Sequence, residues 1–185
     1  MLITPLPDNY NHKLVYMQEK FNNLHTFYNE MHEVHMKSKQ ILSFLLVFLI
    51  TAIIFWFSLQ PADVSDMQSG LFVNIAMMIL HNFPSLHIDV DVLTTIIRKL
   101  AHFTEYAALG FSVSLLYLSF PKKHELSKFI YAYGFIVPMV DEFIQAFVPG
   151  RSCQVSDMFL DMGGYVVGAI LVLGIKKLIK KENGK

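Results

Sequence analysis

The sequence has few charged residues and a single cysteine. Only 16% of its 185 residues are charged, and Cys153 is the one thiol. A lone cysteine excludes a disulfide within the chain and a zinc site built from several cysteines. The 15 acidic and 15 basic residues cancel, so the net charge gives no indication of a nucleic-acid or acidic partner, and we predict no nucleic-acid partner. The first long apolar run begins near residue 41, too late and too long for a cleavable signal peptide.

Hydrophobic residues dominate instead. They make up 54% of the chain, and the mean hydropathy is +0.42, which favours a bilayer over water. Spanning the membrane takes about 20 helical residues, and we predict four such segments: 41–57, 101–120, 129–148 and 157–175. The predicted fold is an all-α integral membrane protein with a four-helix transmembrane bundle. Within the first outer loop, residues 71–80 are too short to span, which predicts an interfacial or re-entrant helix.

Lysines set the predicted orientation. They cluster before the first span, between the second and third, and after the fourth: Lys37, Lys39, Lys122, Lys123, Lys128, Lys176, Lys177, Lys180 and Lys181. The positive-inside rule puts these regions in the cytoplasm. We therefore predict a multi-pass protein of the plasma membrane with both termini cytoplasmic. The predicted divisions are a cytoplasmic N-terminal tail (1–40), either helical or disordered, a transmembrane domain (41–175) and a basic cytoplasmic C-terminal tail (176–185).

Three of the predicted spans carry polar residues that cost roughly 2.5 to 3.5 kcal/mol each at the bilayer centre. Helical rise and span direction place these residues at one level, in the outer leaflet, where lipid cannot solvate them. They must therefore face one another or a wet cavity. The predicted site comprises Arg98, His102, Glu105, Tyr106, Asp141, Glu142, Gln145, Arg151, Asp157 and Asp161. Gly164 and Gly168 follow on the face of Asp157 and Asp161, and their spacing predicts a close helix crossing.

Four motifs in this region resemble those of the VanZ-like family. They are FSLQ at 57–60, RKLAHFTEYAALG at 98–110, DEFIQAFVPGR at 141–151 and D-x-x-x-D-x-x-G-x-x-x-G at 157–168. The resemblance covers about residues 41–175. It implies a small bacterial multi-pass membrane protein, whose namesake is linked to resistance to the glycopeptide teicoplanin. The resemblance implies no reaction.

Two interpretations of the polar cluster remain open. In the first, the acids form ion pairs with Arg98 and Arg151 that hold the helices in register. In the second, which we favour, surplus acid forms a pocket for a cation, a proton or a polar head group. Asp141 and Glu142 are about 100° apart on a helix, so they cannot both point the same way.

The function we predict is non-catalytic. The pocket would bind the head group of a membrane lipid, an envelope precursor or a lipoglycopeptide, and so reduce susceptibility to glycopeptide antibiotics. The alternative is an intramembrane hydrolase or transferase that uses His102, Glu105 and Glu142. One histidine in the membrane region is thin support for zinc, so we predict no metal site and no cofactor. The oligomeric state is open.

Overall fold

The computed structural model describes residues 8–82, 88–120 and 123–182, and the regular secondary structure within these ranges is helical, with no strand. The helices are α1 (Asp8–Ser58), α2 (Ala62–Leu80), α3 (Val90–Ser119), α4 (Lys123–Gln145) and α5 (Val155–Glu182). The all-α prediction is therefore confirmed. Three parts of the predicted scheme lie outside the described residues: the ends of both tails (1–7 and 183–185), part of the first outer loop (83–87) and Lys122.

Within the described ranges, two helices are long and apolar enough to cross a membrane, namely Tyr16–Ser58 within α1 and all of α5. The predicted second and third spans fall in α3 and α4, which do not have this apolar character. These helices have 30 and 23 residues, which correspond to about 45 and 35 Å of helix and exceed the hydrocarbon thickness. Their length fits a span, whereas the polar residues of the predicted site lower their hydropathy.

Several helix ends differ from the prediction. The first outer helix is longer than the expected 71–80, because α2 begins at Ala62, directly after Pro61. Proline fixes its own φ and disfavours helix in the residue before it, which makes it a frequent boundary. The third predicted span was to reach residue 148, but α4 ends at Gln145. A turn follows that leads to Pro149 and to Gly150, whose φ is 73°.

The chain divides into two compact units, Met1–Ile41 and Leu42–Lys185. In the first unit, residues from Asp8 onward belong to α1, so of the two states left open for the N-terminal tail the structure has the helix. Its side chains from 16 to 35 are all exposed. One exposed pair, Lys37 Nζ and Glu33 Oε1 at 2.7 Å, has the four-residue spacing that supports a helix.

The second unit has a core to which α1, α3, α4 and α5 contribute. Its buried apolar residues are Val47, Ile54, Tyr106, Leu109, Val113, Leu116, Val137 and Tyr165. Large apolar side chains also point outward, including Phe48, Trp56, Phe143 and Ile170, each more than half exposed. Apolar surface of this extent is what a helix presents to lipid tails.

The crossing of α5 over α3 depends on glycine. A Cβ at Gly164 would collide with the backbone carbonyl of Phe103, and a Cβ at Gly168 would collide with that of Ala107. On the opposite helix, a Cβ at Gly110 would collide with the carbonyl of Tyr165. Small residues let two helix backbones approach this closely. The crossing brings the polar face of α3 against Asp157 and Asp161 of α5.

Candidate functional site

Arg151 joins the loop after α4 to the end of α1. Its Nε donates to the carbonyl of Gln60 at 3.2 Å, and its terminal nitrogens reach the carbonyl of Phe57 at 3.5 Å and Oε1 of Gln145 at 3.4 Å. The last carbonyls of a helix lack partners within the helix, so a guanidinium there satisfies them. Burial, followed by the charge of Arg98, lowers the pKa of Arg151.

The turn that carries Arg151 fits closely against the start of α2. Gly150 has a positive φ, and a Cβ on it would lie 2.9 Å from Cβ of Ala62. The amide of Ala62 also donates to the carbonyl of Pro149 at 3.2 Å. Both the backbone conformation and the lack of space therefore require glycine at 150.

Asp141 is fully buried and is held by neutral groups. The hydroxyl of Ser58 donates to its Oδ1, and Nε2 of Gln145 donates to its Oδ2 at 3.3 Å. Gln145 thus stands between Asp141 and Arg151. The adjacent acid, Glu142, points elsewhere and accepts the backbone N–H of Gln154 at 2.8 Å through Oε2. Neither acid makes the arginine fork that the ion-pair interpretation requires.

The ion pairs present are different ones. Lys99 of α3 pairs with Asp157 of α5, and Arg98 touches Asp66 of α2 through one nitrogen at 3.5 Å. Of these residues, sequence reasoning included Arg98 and Asp157 in the site but left out Lys99 and Asp66. Ser58 and Gln154 were also left out. Partners on separate helices have no fixed sequence spacing, so no local signal pointed to these contacts.

Two neighbouring cavities meet at this level. The first is small and polar, with room on the order of a few waters, and its walls include Arg98, His102, Glu142, Gln145, Arg151 and Asp157. The second, of about 180 Å³, lies beside α2 and α3 and is mostly apolar, with Phe57, Phe72, Ile97 and Ala101 in its walls and Glu105 beside them. Arg98, His102 and Arg151 line both cavities. These three basic side chains therefore lie between the polar cavity and the apolar cavity.

The remaining predicted residues, among them Asp161 and Tyr106, line neither of the two cavities. Asp161 and Tyr106 are both fully buried. Within the described residues, the two carboxylate oxygens of Asp161 and the hydroxyl of Tyr106 have no hydrogen-bond partner. His102 offers a ring nitrogen to the same region, within 4.8 Å of carboxylate oxygens of Asp141 and Asp161. The predicted site thus forms three neighbouring parts: a polar cavity, an apolar cavity and a buried acidic cluster.

Two helices of membrane-spanning length and composition among the described residues, together with the outward apolar surface, indicate an integral membrane protein. Residues 43–178 match the VanZ/LLP1 family, and the chain belongs to that family. The resemblance in the four sequence motifs is thereby confirmed. No curated protein and no solved structure gives a significant match.

Proposed function

We propose that this VanZ-like membrane protein binds the head group of a lipid or of a lipid-linked envelope precursor. The observation that carries the proposal is the pair of cavities that share Arg98, His102 and Arg151. An amphiphile needs a polar site for its head and an apolar site for its chain, and here the two lie side by side. We assign the head group to the polar cavity and the start of an acyl or prenyl chain to the apolar one.

The basic side chains shared by the two cavities favour an anionic head group. Guanidinium groups bind phosphate through two parallel N–H donors, whereas lysine offers only a point charge. Arg98 and Arg151 are the only arginines in the chain. Arg98 has one long contact, at 3.5 Å to Asp66, so its remaining donors can turn toward a ligand. Arg151, in contrast, hydrogen-bonds to a carbonyl at the end of α1 and to Gln145, so its positive charge is held in one place.

The proposed arrangement in the membrane has four spans, made by α1, α3, α4 and α5, with α2 lying at the outer interface or re-entering. Both termini are then cytoplasmic in the bacterial plasma membrane. The lysine distribution supports this orientation, and the lengths of α3 and α4 support their assignment as spans. The two cavities then open at outer-leaflet depth, where envelope precursors and lipid-tailed antibiotics are encountered. Binding of these molecules by the protein at that depth would reduce susceptibility to glycopeptides.

Native mass spectrometry of the detergent-purified protein tests the proposal. We expect a retained adduct with polyprenyl phosphate or phosphatidylglycerol and none with diacylglycerol, which lacks phosphate. Arg98→Gln should weaken the adduct at least tenfold, and Lys177→Gln, at the far end of α5, should leave it unchanged. Equal retention of diacylglycerol, or an adduct insensitive to Arg98→Gln, would contradict head-group recognition.

One observation favours a second candidate, an intramembrane hydrolase or transferase. His102 and Glu105 line the same apolar cavity, and Glu142 lies across the polar one, so a potential acid and base flank the proposed ligand. Incubation of the protein with native lipid extract tests this candidate. It predicts time-dependent loss of a lipid that stops with His102→Gln, whereas the binding role predicts no turnover.

A further inference from the structure

The carboxylate of Asp161 has no visible source of stabilisation. Its side chain is fully buried, and both oxygens lack a hydrogen-bond partner within the described part of the chain. Burying an unpaired carboxylate costs several kcal/mol or more, so buried acids are normally paired or coordinate a metal. This residue therefore needs a partner that the chain itself does not supply.

The basic side chains nearby are engaged elsewhere. Lys99 pairs with Asp157, one turn before Asp161 on α5. Arg151 donates to Gln145 and to carbonyls at the end of α1. Protonation of Asp161 would remove its charge, but in the observed side-chain positions the resulting hydroxyl has no acceptor among the described residues, and Asp141 would keep its own charge beside it. An added cation is the simpler partner.

Three potential ligands converge at Asp161 from three helices. A ring nitrogen of His102 on α3, an oxygen of Asp141 on α4 and an oxygen of Asp161 on α5 all lie within 4.8 Å of one another. Two ligand atoms that each lie 2.0–2.2 Å from one ion are at most roughly 4.4 Å apart. Small side-chain rotations therefore suffice to bring all three ligand atoms within bonding distance of one ion. The sequence alone pointed to Glu105 as the acid next to His102, whereas the structure brings two aspartates there.

We propose that His102, Asp141 and Asp161 bind a divalent transition-metal ion of the Zn²⁺ or Mn²⁺ type. One imidazole and two carboxylates suit such ions and leave at least one coordination position for another ligand. Ser58 and Gln145 hydrogen-bond to Asp141 and would fix its orientation, as outer-shell groups do in metal sites. His102 also lines the polar cavity, so the proposed ion would lie next to that cavity. The proposal does not require the head-group role: His102 is the one residue common to both, and the metal site rests on the unpaired carboxylate of Asp161.

Metal analysis of the untagged, detergent-purified protein tests this site. After equilibration with ZnCl₂ or MnCl₂ and removal of excess ion, mass spectrometry of the metal content should give about one ion per chain. The same ion should raise the melting temperature, and EDTA should reverse the rise. Asp161→Asn and His102→Gln should each weaken binding at least tenfold and abolish the thermal shift.

Two matched controls separate this site from others. Asp63→Asn makes the same change at an exposed acid of α2 that is not among the three proposed ligands, and it should bind metal as the wild type does. A variant with His25, His32 and His35 changed to Gln removes exposed histidines of α1 and should also bind normally. Binding that disappears with those three histidines, or that survives both Asp161→Asn and His102→Gln, would overturn the proposal, as would wild-type protein that retains neither ion. Loss of metal binding with the polyprenyl phosphate adduct intact would leave the head-group role standing.

Discussion

The hydroxyl of Ser58, at the end of α1, donates a hydrogen bond to the buried carboxylate of Asp141 in α4. The same hydroxyl lies 2.8 Å from the carbonyl of Ile54. A serine that looks like a simple helix-end residue thus links two helices at the level of the polar cluster. The acid at the centre of the site is held by a neutral neighbour and not by an arginine.

Removing this hydroxyl should therefore cost more than an ordinary serine-to-alanine change. Ser58→Ala leaves a buried carboxylate oxygen short of a donor, which should lower the free energy of unfolding by about 1–3 kcal/mol. Ser69→Ala is the matched control, because the Ser69 hydroxyl bonds only to carbonyls of its own helix. Thermal unfolding in detergent compares the two variants. Equal losses would show that the link between α1 and α4 adds nothing.

The helix crossing gives a second prediction. Gly168→Ala or Gly164→Ala forces a methyl group into the backbone of α3, and overpacking of this kind typically costs about 1–3 kcal/mol. Gly174→Ala, on the same helix, meets nothing within 4 Å and should leave stability unchanged or slightly raised. Melting temperatures of the three variants measure the difference. If Gly174→Ala were the most damaging, close packing of α3 and α5 would not explain the glycines.

The two arginines should respond differently to lysine. Arg151→Lys keeps the charge but loses the geometry that reaches two carbonyls and Gln145, so stability should fall by roughly 1–3 kcal/mol. Arg98→Lys loses only one long contact to Asp66, so stability should change by less than about 1 kcal/mol while phosphate-lipid binding weakens. Unfolding and lipid retention measured side by side distinguish the two roles. A large stability loss in Arg98→Lys would make Arg98 a structural residue.

Cys153 makes the proposed orientation testable without any engineered thiol. It is the only cysteine, it is exposed, and it lies in the loop between α4 and α5. With both termini in the cytoplasm this loop faces outward, so a membrane-impermeant maleimide should label intact spheroplasts. A Cys153→Ala variant provides the background. Labelling that appears only after the membrane is opened would invert the orientation.

Sequence reasoning reached the helical class and the family, because hydropathy and motif spacing are local properties. Several of the residues that it placed in the site, such as His102 and Glu142, line the cavities, since polar groups in apolar segments must gather. It did not foresee that Lys99 would pair with Asp157, or that Asp161 would lie beside His102 and Asp141. Those contacts depend on how α3, α4 and α5 rotate about their axes, and helical periodicity within one segment does not fix that rotation.

The end of α4 illustrates a different kind of error. The apolar letters continue to Val148, so hydropathy extended the helix through them. The chain instead turns after Gln145, because Pro149 and the positive φ of Gly150 require a turn. The shorter helix allows Arg151 to reach back to the carbonyls of Phe57 and Gln60. Apolar composition alone does not reveal such a return contact.

The central claim is that the polar cluster is a binding site and not a scaffold, and Arg98→Gln tests it most directly. Glutamine removes the guanidinium that we assign to the anionic head group but loses only one long contact to Asp66, so the melting temperature should change little. In cells producing each variant, we would measure surface binding of a fluorescent lipid-tailed glycopeptide, with vancomycin as the reference. The account predicts that wild-type protein lowers binding of the lipid-tailed drug and that Arg98→Gln abolishes this effect at full stability. An effect on the drug that survives in the stable variant, or that falls only in proportion to lost stability, would contradict the claim.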